Sequence, residues 1–135
     1  MKKLILNPEN IMAPAGMYSH GFKVKGANLI FLAGQVGIDR EGKLVGKGDL
    51  KAQARKAFQN LRAVLREGGA DMGSVVKFTT FLVDRADVEK FWEVRRELFE
   101  EYYPDKDYPP NSLIIVKSLY DEDLLIEIEA IAACD

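Results

Sequence analysis

The sequence predicts an α+β domain in which two helices cover one face of a mixed sheet. Strand-like runs lie towards both ends of the chain, two amphipathic helices lie between them, and a strand with two largely apolar faces separates the helices. The predicted order is β-β-α-β-α-β-β. Two amphipathic helices cover only one sheet face, so we expect another subunit to cover the other. The 135 residues predict a single domain, 1–135, with no linker.

The first two strands are predicted to form a hairpin after an irregular arm. The arm, Met1–Gly16, contains two prolines among small residues. The turn Lys25–Ala27 separates two runs of strand-like residues. In the first run, one face carries Tyr18, His20, Phe22 and Val24. Gly34 interrupts the second run, which indicates a β-bulge, a close approach by another group, or simply the end of the strand.

Two helices are predicted on either side of a central strand. Asp49 is a good N-cap for the first helix, which Gly68 ends. The strand Val75–Val83 follows. Asp87 is predicted to cap the second helix, which ends before Pro104. The buried stripe of the second helix is predicted to contain Val88, Phe91, Trp92, Leu98, Phe99 and Tyr102.

Two residues of the second helix have alternative interpretations. Arg95 falls on the apolar stripe, where an arginine is most often a rim residue with its charge in water, although it could also anchor an anion at an interface. Trp92 is expected to pack in the core or an interface. The alternative is that its indole forms a platform for a ligand.

The C-terminal segment combines an apolar strand face with two carboxylates. The runs Ser112–Val116 and Leu124–Ala133 are separated by a polar turn. Glu127 and Glu129 share one face of the second run, and the opposite face is purely apolar. The carboxylates either face water without further purpose, or face a cleft where burial raises the pKa of one of them. The pattern leaves both interpretations open.

Composition excludes several classes of function. The 19 basic and 21 acidic residues give a net charge of -2, which disfavours a nucleic-acid surface. The single histidine, His20, and the single cysteine, Cys134, leave no ligand set for a metal, no catalytic triad and no disulfide framework. No apolar run could span a bilayer, so we expect a cytoplasmic protein.

The chain resembles the reactive-intermediate deaminase family, also called the Rid, RidA or YjgF family and the endoribonuclease L-PSP family. The order and spacing of several short motifs carry this resemblance: Gly16–Ser19, Leu32–Gln35, Gln53–Arg55, Asn60–Leu61, Val75–Thr79, Phe81–Asp84 and Ile126–Ala132. The resemblance implies a chorismate-mutase-like fold and a homotrimer with a barrel of sheets and three clefts between subunits. It also implies hydrolysis of enamines and imines of amino acids to ammonia and 2-keto acids, as by a 2-iminobutanoate/2-iminopropanoate deaminase, without a cofactor.

The resemblance assigns site residues but also shows departures. Tyr18 matches the family's cleft tyrosine, Gly34 the glycine whose backbone lies beside the substrate, and Glu127 the glutamate that orients the attacking water. Asn111 stands where the family has an arginine that holds the substrate carboxylate. Without an arginine to pair with the substrate carboxylate, we expect the affinity or the reaction rate for a carboxylate substrate to be lower by about a hundredfold or more.

Two further departures are on the second helix, where Trp92 replaces an asparagine and Arg95 an aromatic residue. Three functions follow from these residues. The first is a Rid-like hydrolase with a shifted substrate, in which Glu127 positions water, Asn111 and Gly34 hydrogen-bond the substrate, and Arg95 in one variant restores the positive charge. The second is a trimeric protein that binds a small molecule without turnover. The third is a ribonuclease, which the acidic balance disfavours.

Overall fold

A computed structural model describes residues 1–135. Its strands and helices follow the predicted order, preceded by one further strand. The elements are β1 Lys2–Leu6, β2 Gly21–Lys25, β3 Asn28–Gln35, α1 Leu50–Glu67, β4 Val75–Leu82, α2 Val88–Tyr102, β5 Asn111–Ile115 and β6 Ile126–Cys134. Short 3₁₀ turns, Met72–Ser74 and Arg85–Asp87, precede β4 and α2.

The main sheet has four strands in the order β3-β6-β4-β5. β6 is antiparallel to both of its neighbours, and β4 and β5 are parallel because α2 carries the chain back between them. The apolar face of β6 is buried beneath the helices, with Ile126, Ile128 and Ala132 fully inaccessible to solvent. The mixed sheet with helices on one face is therefore confirmed.

The predicted hairpin between β2 and β3 is wrong. β2 pairs with β1 in a separate two-stranded sheet, in which Lys3 lies opposite Val24. β3 instead pairs with β6, from Asn28 opposite Cys134 to Gln35 opposite Ile128. Because β6 has nine residues and β2 has five, β6 offers β3 the longer ladder. The arm is consequently not irregular throughout, since residues 2–6 form β1.

The two helices begin differently. The Asp49 carboxylate accepts a hydrogen bond from the Ala52 amide at 3.1 Å and caps α1 as predicted. The carboxylate of Asp87 makes no capping bond to α2. The chain first makes a 3₁₀ turn, which Asp84 caps by accepting from the Ala86 amide at 2.9 Å. The predicted cap of α2 therefore lies one short turn earlier.

The sheet face opposite the helices exposes apolar side chains. Phe31 is 72% exposed and Leu29 is 56% exposed on β3, and Ile114, which lies beside Phe81, is exposed on β5. An apolar surface of this kind is typical of a subunit interface. The covering subunit stays a prediction.

Neither helix has the length and apolar character that a membrane span requires.

Candidate functional site

A cavity of about 460 Å³ lies between α2, the start of β5 and the segment before β2. It brings together four of the predicted site residues: Tyr18, Trp92, Arg95 and Asn111. The other lining residues are Ala15, Gly16, Met17, Val88, Arg96 and Leu113. A volume of this size suits a small metabolite. Gly34 and Glu127 do not line it.

Arg95 is buried, so the expectation of a solvent-exposed rim residue is wrong. It is only 7% exposed, and its Nε is buried without a hydrogen-bond partner. The guanidinium carbon lies 5.6 Å from the centre of the Phe91 ring. Burial and the neighbouring positive charge of Arg96 lower the pKa of Arg95 to about 10. Arg95 is buried because its helical position lies on the same face as Phe91, Val94 and Phe99, and its side chain lines the cavity.

Trp92, in contrast, is more exposed than predicted. It is 44% exposed rather than buried in the apolar stripe of α2. Its indole forms part of the cavity wall, and the cavity remains open beside it. In this chain Trp92 is a wall residue that a ligand in the cavity would touch.

Thr80 orients Asn111, and sequence analysis did not identify this residue. The Thr80 hydroxyl donates to the Asn111 side-chain carbonyl at 2.8 Å. The amide nitrogen of Asn111 is left to donate to a ligand. Thr80 is 1% exposed on β4, beside the start of β5. The signal in the sequence that could have identified it is a polar residue between Phe78 and Leu82 on an otherwise apolar strand face.

Tyr18 stands at the cavity wall with its hydroxyl accepting weakly from the Ala15 amide at 3.4 Å. His20, which also precedes β2, packs edge-on against the Tyr18 ring, with 5.8 Å between the ring centres. One ring nitrogen of His20 lies 2.6 Å from the Met12 carbonyl, and its amide donates to Asn7. His20 therefore holds the N-terminal segment and does not line the cavity.

Gly34 and Glu127 form a second group on the other side of the sheet. The register between β3 and β6 shifts between Leu32 and Gln35, so the bulge, one of the alternatives left open at Gly34, is present. A Cβ built on Gly34 would lie 2.5 Å from Glu127 Oε2 and 2.7 Å from its carboxyl carbon. The absence of a side chain at Gly34 thus makes room for the carboxylate.

The Glu127 carboxyl group has an altered acidity. Partial burial raises its pKa above the ordinary value, and the negative charge of Glu129 raises it further. Glu129 itself is exposed. A carboxyl group with a raised pKa is a stronger base than an ordinary carboxylate and can still return the proton that it accepts.

The two groups lie on opposite faces of one subunit's sheet. Asn111 lies beside Phe78 and Glu127 beside Phe81, on the two strands that flank β4. The backbones of Asn111 and Glu127 are roughly 14 Å apart, because three residues along the strand direction and two strand spacings lie between them. Asn111 contacts Thr80 on the helix side, whereas Glu127 alternates with buried residues and faces away from the helices. One small ligand cannot contact both groups of the same subunit.

No cluster of three or more histidine, cysteine, aspartate or glutamate side chains is placed to hold a metal ion.

Comparison with known proteins places this chain in a family. The family model described as endoribonuclease L-PSP matches residues 8–134. A RutC family protein of Pyrococcus abyssi is 39% identical over 132 residues, covering 98% of each chain. The solved structure of YyfB from Yersinia pestis, of the conserved Rid protein family, has a TM-score of 0.86 at 33% identity and covers 99% of this chain and 100% of its own.

A second solved structure, E. coli TdcF with bound serine, has a TM-score of 0.72 at 29% identity and covers 99% of this chain and 100% of its own. The chain belongs to the Rid/YjgF family, whose model carries the endoribonuclease L-PSP description, and its α+β fold is chorismate-mutase-like. Membership of this family supports a role in deaminating or binding a small molecule.

Proposed function

We propose that this protein is a hydrolase that releases ammonia from a small imine or enamine. The observation that carries the proposal is the Glu127 carboxyl group, which has a raised pKa and a position beside Gly34 that only a glycine leaves open. Both residues match the motifs that relate the chain to the Rid family. The cavity with Tyr18, Trp92 and Asn111 supplies a place for the substrate.

The proposed reaction adds water across a carbon–nitrogen double bond. Glu127 accepts a proton from water while the water oxygen bonds to the imine carbon, and the π electrons of the double bond move to nitrogen. The protonated Glu127 then returns a proton to that nitrogen. In the resulting carbinolamine, Glu127 takes the proton of the new hydroxyl group and passes it to the amino group; as the carbon–nitrogen bond breaks, the electron pair of the O–H bond forms the carbonyl of a ketone and ammonia leaves. The raised pKa of Glu127 suits both proton transfers because the group is a usable base and a usable acid at similar pH.

The separation of the two groups supports a site shared between subunits. Because one small substrate cannot span roughly 14 Å, the Glu127 of a second copy would complete the cavity of the first. The exposed apolar face around Phe31 is suited to bring copies together. A homotrimer with three clefts is the arrangement that we propose. The serine bound to TdcF supports a small amino-acid-like molecule as the ligand.

A binding protein without turnover is the alternative, and Asn111 favours it. The family's arginine is absent at this position, and the carbonyl of Asn111 is already engaged by Thr80. A ribonuclease is not proposed, since the net charge is -2 and the only histidine contacts the Met12 carbonyl.

The test is ammonia release by the purified protein from freshly generated imines of several amino acids. We expect Glu127→Gln to lower the rate by about a hundredfold or more. Glu129→Gln is the matched control, with the same change of charge on the same strand, and it should keep most of the activity. Because the fold holds Glu127 at a raised pKa, the glutamine variant should not lose thermal stability at neutral pH.

Equal turnover by native protein and Glu127→Gln would contradict the proposed role of Glu127. Silence of the native protein towards every imine would favour the binding protein.

A further inference from the structure

Two side-chain amides of α1 hold the backbone on either side of the contact between Gly34 and Glu127. Gln53 and Asn60 are seven residues apart, which places them two turns apart on nearly the same face of the helix. Both lie in motifs that relate the chain to the Rid family, and the proposed reaction gives neither of them a role. Gln53 is fully buried and Asn60 is half-buried. Gln53 thus keeps a polar side chain in the protein core, where apolar side chains usually pack.

The Gln53 amide joins two segments that are far apart in the sequence. Its nitrogen donates to the Gly46 carbonyl at 3.1 Å and to the Asp123 carbonyl at 3.0 Å. Its oxygen accepts from the Leu125 amide at 2.9 Å. Both donor hydrogens and the acceptor oxygen are therefore used. Because Leu125 precedes Glu127 by two residues, these bonds hold the chain about 7 Å from Glu127 along the strand direction.

Asn60 holds the other chain segment of the contact. Its nitrogen donates to the Val36 carbonyl at 3.1 Å and to the Ile38 carbonyl at 3.0 Å, just after β3. Both carbonyls lie beyond the ladder between β3 and β6. Val36 follows Gly34 by two residues, so Asn60 fixes the end of β3 in the way that Gln53 fixes the start of β6.

The ladder between β3 and β6 does not set this contact alone. Its register shifts at a bulge that contains Gly34, and its last pair is Gln35 with Ile128. Glu127 lies one residue beyond that pair and has a partner only on β4. A bulge disrupts the ladder hydrogen bonds locally. The contact therefore depends on other groups that hold the two segments, and the amides of α1 are such groups.

We propose that Gln53 and Asn60 position the Glu127 carboxylate beside Gly34. This inference rests on the proposed hydrolase function and adds two positioning residues to it, since neither amide lines the cavity beside α2. Loss of either amide should let the end of one strand move, and a displacement of about 1 Å at the reacting groups costs about a hundredfold in rate. A merely structural role, in which the amides only bond loop carbonyls, is the competing explanation.

Two variants remove the bonds with little change of volume, and a neighbouring residue provides the control. Gln53→Met removes all three bonds of the buried amide, and Asn60→Leu removes the two bonds at the end of β3. Gln59→Met makes the first change at an exposed position of the same helix. Because Asn60 is only half-buried, its variant should fold even if Gln53→Met does not. All measurements are made well below the melting temperature of each variant.

The acidity of Glu127 reports its position without any need for turnover. Carbon-13 NMR titration of the side-chain carboxyl, assigned with Glu127→Gln, gives its pKa. Partial burial is the main cause of the raised pKa, and Glu129, whose charge adds to it, is unchanged in these variants. In Gln53→Met and Asn60→Leu the pKa should fall towards the ordinary value of a glutamate, because the freed carboxylate reaches water. Gln59→Met should leave the pKa unchanged.

Turnover gives a second, independent measurement. We expect Gln53→Met and Asn60→Leu each to lower kcat for ammonia release by about tenfold to a hundredfold, with KM within about twofold, because the cavity beside α2 is untouched. In a Glu127→Gln background, Gln53→Met should lower kcat no further, since the residue through which Gln53 acts is already lost. Gln59→Met should match native protein.

A variant, Gln53→Met or Asn60→Leu, that folds and keeps the native pKa of Glu127 overturns the proposal for that residue. The proposal is also overturned if Gln53→Met lowers kcat equally with and without Glu127, or if the variants lower only the melting temperature. Silence of native protein towards every imine, together with the expected pKa changes, would contradict the hydrolase and support this inference. Glu127-dependent turnover that neither variant changes would contradict this inference alone.

Discussion

Replacing Gly34 with alanine is expected to separate catalysis from folding. The new Cβ would lie 2.5 Å from Glu127 Oε2, whereas ordinary contact begins at 3.4 Å, so the carboxylate must move by roughly 0.9 Å. Gly34 does not have a positive φ, so the backbone itself accepts alanine. Because Glu127 Cγ also lies 2.8 Å from that Cβ, the side chain must leave its rotamer, which should lower the free energy of unfolding by about 1 kcal/mol.

The effect on catalysis should be much larger. A misplacement of about 1 Å costs about a hundredfold in rate, equivalent to about 2.7 kcal/mol in the activation barrier. The assay is kcat/KM for ammonia release, measured well below the melting temperature of both variants. Gly73→Ala is the control, since a Cβ at Gly73 meets no atom within 4 Å. A Gly34→Ala variant with native kcat/KM would refute the reasoning that the position of Glu127 beside Gly34 sets the chemistry.

Two further predictions concern titration. Glu129→Gln removes a negative charge that raises the pKa of Glu127, so the acidic limb of the pH profile of kcat/KM should move to lower pH. If this limb does not move, Glu127 is not the base that titrates. Asp71 pairs with Arg62 and Arg66, and the Arg62 hydrogen bond lowers its pKa from 3.8 to about 2. A depressed pKa stabilises the fold above about pH 4, and this contribution is lost as the pH falls towards 2. Because Asp71 is partly exposed, Asp71→Asn should lower the free energy of unfolding by about 1 kcal/mol at pH 7 and hardly at all near pH 2. Urea titrations at both pH values measure this difference. An equal loss of stability at both pH values would contradict the prediction.

Local patterns predicted much of the fold. The cap of α1 at Asp49 and the buried face of β6 depend on neighbours within a few residues, and both are present. The pairing of β2 depends on which strands from other parts of the chain lie beside it. The periodicity of a local segment does not show which strands these are. β1 was missed because only five residues, two of them lysines, form it.

The candidate site was predicted less completely, and its helix residues show why. The position of Arg95 on the apolar stripe was evident from spacing, but its burial without a partner depends on how α2 packs against the rest of the chain. Trp92 lies about 100° around the helix from Phe91, which turns it from the core towards the cavity. The distance between Asn111 and Glu127 depends on strand order, which places β4 between their strands.

The most direct test of the account is a subunit-mixing experiment. Asn111→Leu and Glu127→Gln chains, each expected to release little ammonia alone, are co-expressed with different tags, and mixed assemblies are purified through both tags. In a trimer whose clefts each use Asn111 of one subunit and Glu127 of the next, every mixed trimer has one intact cleft, so about one third of native ammonia release should return. Mixed assemblies as inactive as their parents would contradict the shared site.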